Sequence, residues 1–133
     1  MQDFSQTTPY IDFDTKKHLE PGQVTKFSIP QNEFVSVNQL CFQRTSRADD
    51  LENLACFLIY LLHKPFRIPH LKYPNKLEKS PMNEDKLFFL QTHKMLNPID
   101  KMCKRSEAAM LISFCEEIKS IGFYAKPNYD KLR

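Results

Sequence analysis

The residues able to carry chemistry are spread thinly along this chain, and their spacing argues against a built reaction centre. Cys41, Cys56, Cys103 and Cys115 lie far apart, and none forms the C-x-x-C pair that a zinc site commonly uses. Three of the four sit among apolar residues, so reduced thiols in an intracellular protein are the expectation. His63 and His70 have the chemistry to join a cysteine as ligands, but nothing in the sequence positions them. No metal and no cofactor are expected. Lys and Arg are scattered over residues 64 to 105, which admits a basic docking platform for acidic tails or polynucleotide. Yet the net charge is only +3, and acidic and basic residues are interspersed. A dedicated nucleic-acid protein shows a more concentrated basic face, so that class is disfavoured.

The adjacent carboxylates Asp49 and Asp50 have a structural explanation. They follow Ser46-Arg47-Ala48, where Ser46 can cap the first free amides of a helix and Asp49 stands at the capping-box position. Both acids fall in the first turn, where the positive end of the helix dipole favours them. Nine apolar residues follow without a break, Leu54 to Leu62. That run is about half of what a bilayer crossing needs. It reads as a buried central helix within residues 44 to 64, apolar on every face and surrounded by protein. The rest of the chain is expected to pack around it.

The other elements take their places from local signals. Residues 35 to 43 predict a short helix and turn. Pro65 stops the central helix, and the prolines at 65, 69, 74 and 81 predict an extended surface connection over 65 to 83. Asn83-Glu84-Asp85 opens a helix to about Leu96, with Leu87, Leu90 and Lys94 along one face. Pro98 starts a helical turn to Lys104. Ser106 is placed to cap a helix running to about Ile121, before Gly122. Leu111, Phe114, Cys115 and Ile118 form its apolar stripe, a core face by spacing. Pro127 is expected to begin a last helix. With 41% apolar residues, eleven Phe, two Gly and nine Pro in 133 residues, the composition suits one mainly helical folded domain. Met1 to Thr8 is polar and no apolar stretch follows, so no signal peptide is expected.

Several stretches together resemble the casein kinase I family of protein kinases. Arg47-Ala48-Asp49-Asp50-Leu51-Glu52-Asn53-Leu54 looks like the opening of that family's central F helix, R-R-D-D-L-E-S-L-G. Tyr10-Ile11-Asp12-Phe13-Asp14 with Lys16-Lys17 resembles the I-I-D-F-G-L-A-K-K segment that opens the activation loop. Phe34-Val35-Ser36-Val37-Asn38 is similar to Y-A-S-I-N, and Pro98 to Lys104 to P-V-E-V-L-C-K. Glu107 to Cys115 and Asn128 to Arg133 resemble the late helices, E-F-A-M-Y-L-N-Y-C and D-Y-x-x-L-R. The blocks follow in family order and roughly family spacing, and they cover nearly the whole chain.

The resemblance implies a kinase C-lobe without its partner lobe: a degenerate D-F-G and activation-segment region over 10 to 43, the central helix over 44 to 64, and the late helices over 65 to 133. At most a short strand is expected, at residues 10 to 14. Asp12 stands where the family's D-F-G aspartate coordinates magnesium, and Asp14 replaces the motif's glycine. The family's N-L-T-G-T-A-R is replaced by Phe27-Ser28-Ile29-Pro30-Gln31-Asn32-Glu33, which lacks the arginine that helps recognise acidic substrates. Phosphoryl transfer also needs a Gly-rich lid, a strand lysine paired with a helix glutamate, and an H-R-D loop. None is present, and no room is expected for them before Tyr10. Asp12 therefore reads as a relic of a metal ligand, and Asp50 as a helix cap with no catalytic loop left to anchor.

The expectation is a non-catalytic, pseudokinase-like remnant serving as a structural or protein-interaction module. Apolar surface once covered by the missing parts would need a protein partner. The expected address is cytoplasmic, and a cytoskeletal or ciliary assembly is one setting that would suit it. The alternative is a fragment or half of a split casein kinase I-like Ser/Thr kinase that needs a missing N-lobe.

Overall fold

A computed structural model of the chain describes residues 9–24 and 32–132. Among them are six α-helices and one 3₁₀ turn, with no sheet. The helices are α1 (Val37–Leu40), α2 (Arg47–Leu62), α3 (Asn75–Glu78), α4 (Glu84–Leu96), α5 (Ile99–Lys104) and α6 (Ile112–Ser120), the last preceded by the 3₁₀ turn Ala109–Leu111. The mainly helical class expected from composition is the class observed.

The start of α2 follows from its cap. Ser46 Oγ accepts from the Ala48 amide at 3.3 Å, and Asp49 Oδ2 accepts from the Ser46 amide at 2.7 Å and from its hydroxyl at 3.0 Å. This is the reciprocal capping box, and Asp49 is buried within it. Asp50, the neighbouring acid, is exposed and takes no part in the cap. The expectation that Asp50 caps the helix is therefore corrected, because Asp49 already fills that position.

Two apolar clusters hold the helices together. The larger joins Ala55, Cys56 and Ile59 of α2 to Ile99, Met102 and Cys103 of α5 and to Cys115 and Ile118 of α6. The smaller joins Val35 and Leu40, around α1, to Leu87 and Leu90 of α4. Leu71 packs against both clusters. Lys94 bridges them with hydrogen bonds. It is only 1% exposed, and its ammonium donates to the Val35 carbonyl and to Cys56 Sγ, the latter at 3.4 Å. A lysine can be buried this deeply only where acceptors replace its lost water.

Three local expectations are corrected. Residues 10 to 14 form no strand. Instead a tight turn carries the chain back, with a single bridge between Ile11 and His18. The connection over 65 to 83 is not wholly on the surface, since Ile68 and Pro69 are buried and α3 interrupts it. The C-terminal elements start late or stay short. Ser106 caps a turn, accepting from the Ala108 amide at 3.1 Å, and regular helix begins only at Ile112. Pro127 leads into turns over residues 129 to 132 with no helix. The expectations for residues 25–31 lie outside the described residues.

Candidate interaction surface

The Asp12 turn holds the expected relic of a metal ligand, and its geometry is inward. Asp12 Oδ1 accepts from the Asp14 amide at 3.0 Å, the Thr15 amide at 2.7 Å and the Thr15 hydroxyl at 2.9 Å. These bonds, the Thr15 pair foremost, hold the Asp12 carboxyl below the usual range. The carboxylate is ionised, but one oxygen is saturated by its own loop in an Asx-type turn. The left-handed residue of the turn is Lys16 (φ 57°), two positions after Asp14. Asp14 therefore needs no glycine-like backbone in this fold. The turn docks onto the C-terminal loop through rings: His18 packs edge-on to Phe123 at 5.0 Å and to Tyr124 at 5.2 Å. Arg47 covers Tyr10 at 4.9 Å. Among the described residues, no group of three or more His, Cys, Asp or Glu is placed to hold a metal ion.

The thiols are not poised as nucleophiles. Burial pushes the thiols of Cys56, Cys103 and Cys115 upward, Cys115 to about 12 with the neighbouring Cys103 adding to the effect. Cys103 donates to the Ala108 carbonyl at 2.8 Å. All four cysteines are free, and three of them are buried. Lys86 and Lys94, counted among the scattered basic residues, are buried too, and Lys104 pairs with Glu116 at 2.7 Å. The basic platform thus loses two of its members to burial, and an exposed acid stands against a third.

What lies open instead is one side of α2. The expectation of a helix enclosed on all faces is overturned. Leu54 is 45% exposed, Phe57 41% and Leu61 43%. They recur at spacings of three and four residues, so they share one strip, opposite Ala55, Cys56 and Ile59, which face the core. Phe34 stands edge-on to Phe57 at 5.4 Å and to Tyr60 at 5.1 Å, and Tyr60 lies 6.3 Å from the exposed Phe66. The strip therefore continues into an aromatic border. Leu58 leads the other way, into a cleft of about 640 Å³ whose lining includes Met110, Phe114 and Leu132. An apolar run shows no periodicity, so the sequence could not reveal which side of the helix would be left bare.

Behind the strip, α2 is fixed to α1 by polar contacts. Glu52 Oε1 accepts from the Val37 amide, a free N-terminal amide of α1, at 3.1 Å, and Asn53 Nδ2 donates to Gln39 Oε1 at 3.4 Å. Burial raises the Glu52 carboxyl, against the opposing pull of the Val37 amide and Lys94. Sequence reading missed this node because Glu52 and Lys94 meet only through the tertiary fold.

No protein-family model matches the chain. No helix among the described residues is long and apolar enough to cross a membrane.

Proposed function

We propose that this chain is a non-catalytic, kinase-like remnant that works as a structural or protein-interaction module within a larger assembly. The observation that carries the reading is the bare apolar strip Leu54, Phe57 and Leu61 on the helix that otherwise centres the fold. Contiguous exposed apolar surface of this kind marks an interaction site, and a permanent place in a complex would cover it. A cytoskeletal or ciliary assembly is one such setting. Two further features support the non-catalytic half of the reading. Asp12 spends one carboxylate oxygen on its own turn, and the buried thiols are held protonated by their surroundings. Resemblance to the casein kinase I C-lobe supplies the kinase-like part.

The same strip would also suit an alternative, half of a split casein kinase I-like Ser/Thr kinase whose missing lobe covers α2. Nucleotide binding separates the two. A ligand that binds only the folded state raises the melting temperature by mass action. Titration of the purified chain with ATP and Mg²⁺ is expected to leave its melting temperature unchanged at millimolar nucleotide. A saturable, magnesium-dependent rise that disappears in Asp12→Ala would overturn the reading and favour the split kinase.

A further inference from the structure

Lys86 is a buried cation with no anion beside it. Its ammonium donates to the Ser80 carbonyl at 3.2 Å and lies 4.5 Å from the centre of the Tyr73 ring. Both partners are neutral, and no carboxylate among the described residues pairs with it. A charge withdrawn from water is costly without a counter-charge, so an anion added here would be favoured. The residue whose carbonyl Lys86 holds, Ser80, is followed directly by Pro81. Among the described residues no other Ser or Thr precedes a proline. Ser80 lies just past α3, and no residue from 75 to 82 is buried. Its hydroxyl donates to the Lys76 carbonyl at 2.9 Å, in an exposed bond. The segment can therefore lift into an extended form, which proline favours in the residue before it, at little local cost.

We propose that Ser80 is a phosphorylation site for a proline-directed Ser/Thr kinase, and that Lys86 pairs with the phosphate it receives. Kinases of that class accept a hydroxyl residue whose next neighbour is proline. Ser80 Oγ attacks the γ-phosphorus of ATP and the bond to the β–γ bridging oxygen breaks. ADP leaves, and the hydroxyl proton passes to the kinase's catalytic base. The product carries roughly −1.5 to −2 in charge near pH 7, on three acceptor oxygens. Lys76 and Lys79, exposed and without ion-pair partners among the described residues, add to the positive side. Glu78, Glu84 and Asp85 oppose it, but all three are exposed, so solvent and salt screen their repulsion. The pull of buried Lys86 is screened less. The site does not depend on the apolar strip of α2.

The test is to incubate the full chain with Mg²⁺, ATP and a purified proline-directed kinase, then locate phosphate by peptide mass mapping. A Thr8→Ala background is used, because Thr8 also precedes a proline. The expected product carries phosphate on Ser80, and Pro81→Ala loses it. Once kinase and nucleotide are removed, the phosphorylated chain is expected to melt about 3 °C above the unmodified one. Lys86→Gln should abolish that difference and Lys86→Arg should keep it, whatever each does to the starting stability. A natively folded chain that takes no phosphate on Ser80, or takes it equally in Pro81→Ala, overturns the proposal. So does a phosphorylated chain whose melting rise is absent, or persists in Lys86→Gln.

Discussion

The two sides of α2 are both apolar and lead different lives. Ala55, Cys56 and Ile59 close the larger core against α5 and α6, while Leu54, Phe57 and Leu61 lie open on the opposite side. The buried side carries the smaller apolar residues and the open side the larger ones, so hydrophobicity alone does not decide which is buried. The decision comes from what packs against each. α5 and α6 lie on one side, and α1 is drawn in by the Glu52 contact with the Val37 amide. The side without such neighbours is the one available to a partner. Under the proposed reading, stability and interaction are divided across a single helix, and substitutions on each side should read out differently.

The largest effect should come from the junction behind the buried side. Lys94→Ala removes the donor that satisfies Val35 and Cys56 and leaves a hole between the two clusters. A loss of about 3 kcal/mol in denaturant unfolding is expected, with Lys94→Met less damaging because it keeps the stem. Ile59→Ala should cost a comparable amount, about 3 kcal/mol, by opening a cavity in the larger core. If Ile59→Ala were nearly silent, the division between the sides of α2 would collapse. Asp49→Ala comes next. It empties the capping box and should cost about 1 to 2 kcal/mol, visible as a lower melting temperature.

A subtler effect concerns pH. Glu52 is held above its ordinary value of 4.5, with desolvation the leading cause. A carboxyl raised in the folded state binds its proton more tightly there than in the unfolded chain. Its contribution to stability is therefore fully present below 4.5 and declines as pH rises through the folded-state value. Glu52→Gln keeps an acceptor for the Val37 amide and cannot ionise. Unfolding curves recorded upward from pH 4.5 should show a shallower fall for Glu52→Gln than for the wild type. An unchanged slope would mean that the desolvation of Glu52 is already offset by Lys94.

How much of this could be read beforehand depended on whether the cause was local. The Ser46–Asp49 box, the Asn83 cap of α4 and the inward face Leu87, Leu90 and Lys94 were all legible, because each is set by residues within a turn or two. The start of α6 was not. Ser106 has the chemistry of a cap, but Ala108 is pulled fully into the core beside Cys103, which diverts the chain through a 3₁₀ turn first. The proline-rich connection misled for a similar reason: proline punctuation marks the breaks but does not say that Ile68 will fill a gap in the larger cluster. The candidate surface was the least legible feature. Nine apolar residues in a row carry no period, and a helix enclosed all round looks the same in sequence as one bare along a strip.

The measurement that bears most directly on this account is equilibrium unfolding of Leu54→Ser/Leu61→Ser beside the wild type, both at the same high dilution, so that binding equilibria make no contribution. Both leucines are almost half exposed and lie on the bare strip. The account predicts a stability within about 1 kcal/mol of wild type, the range of substitutions that open no cavity. A loss as large as that of Ile59→Ala would mean that this strip belongs to the chain's own core, and the interaction surface would have to be sought elsewhere.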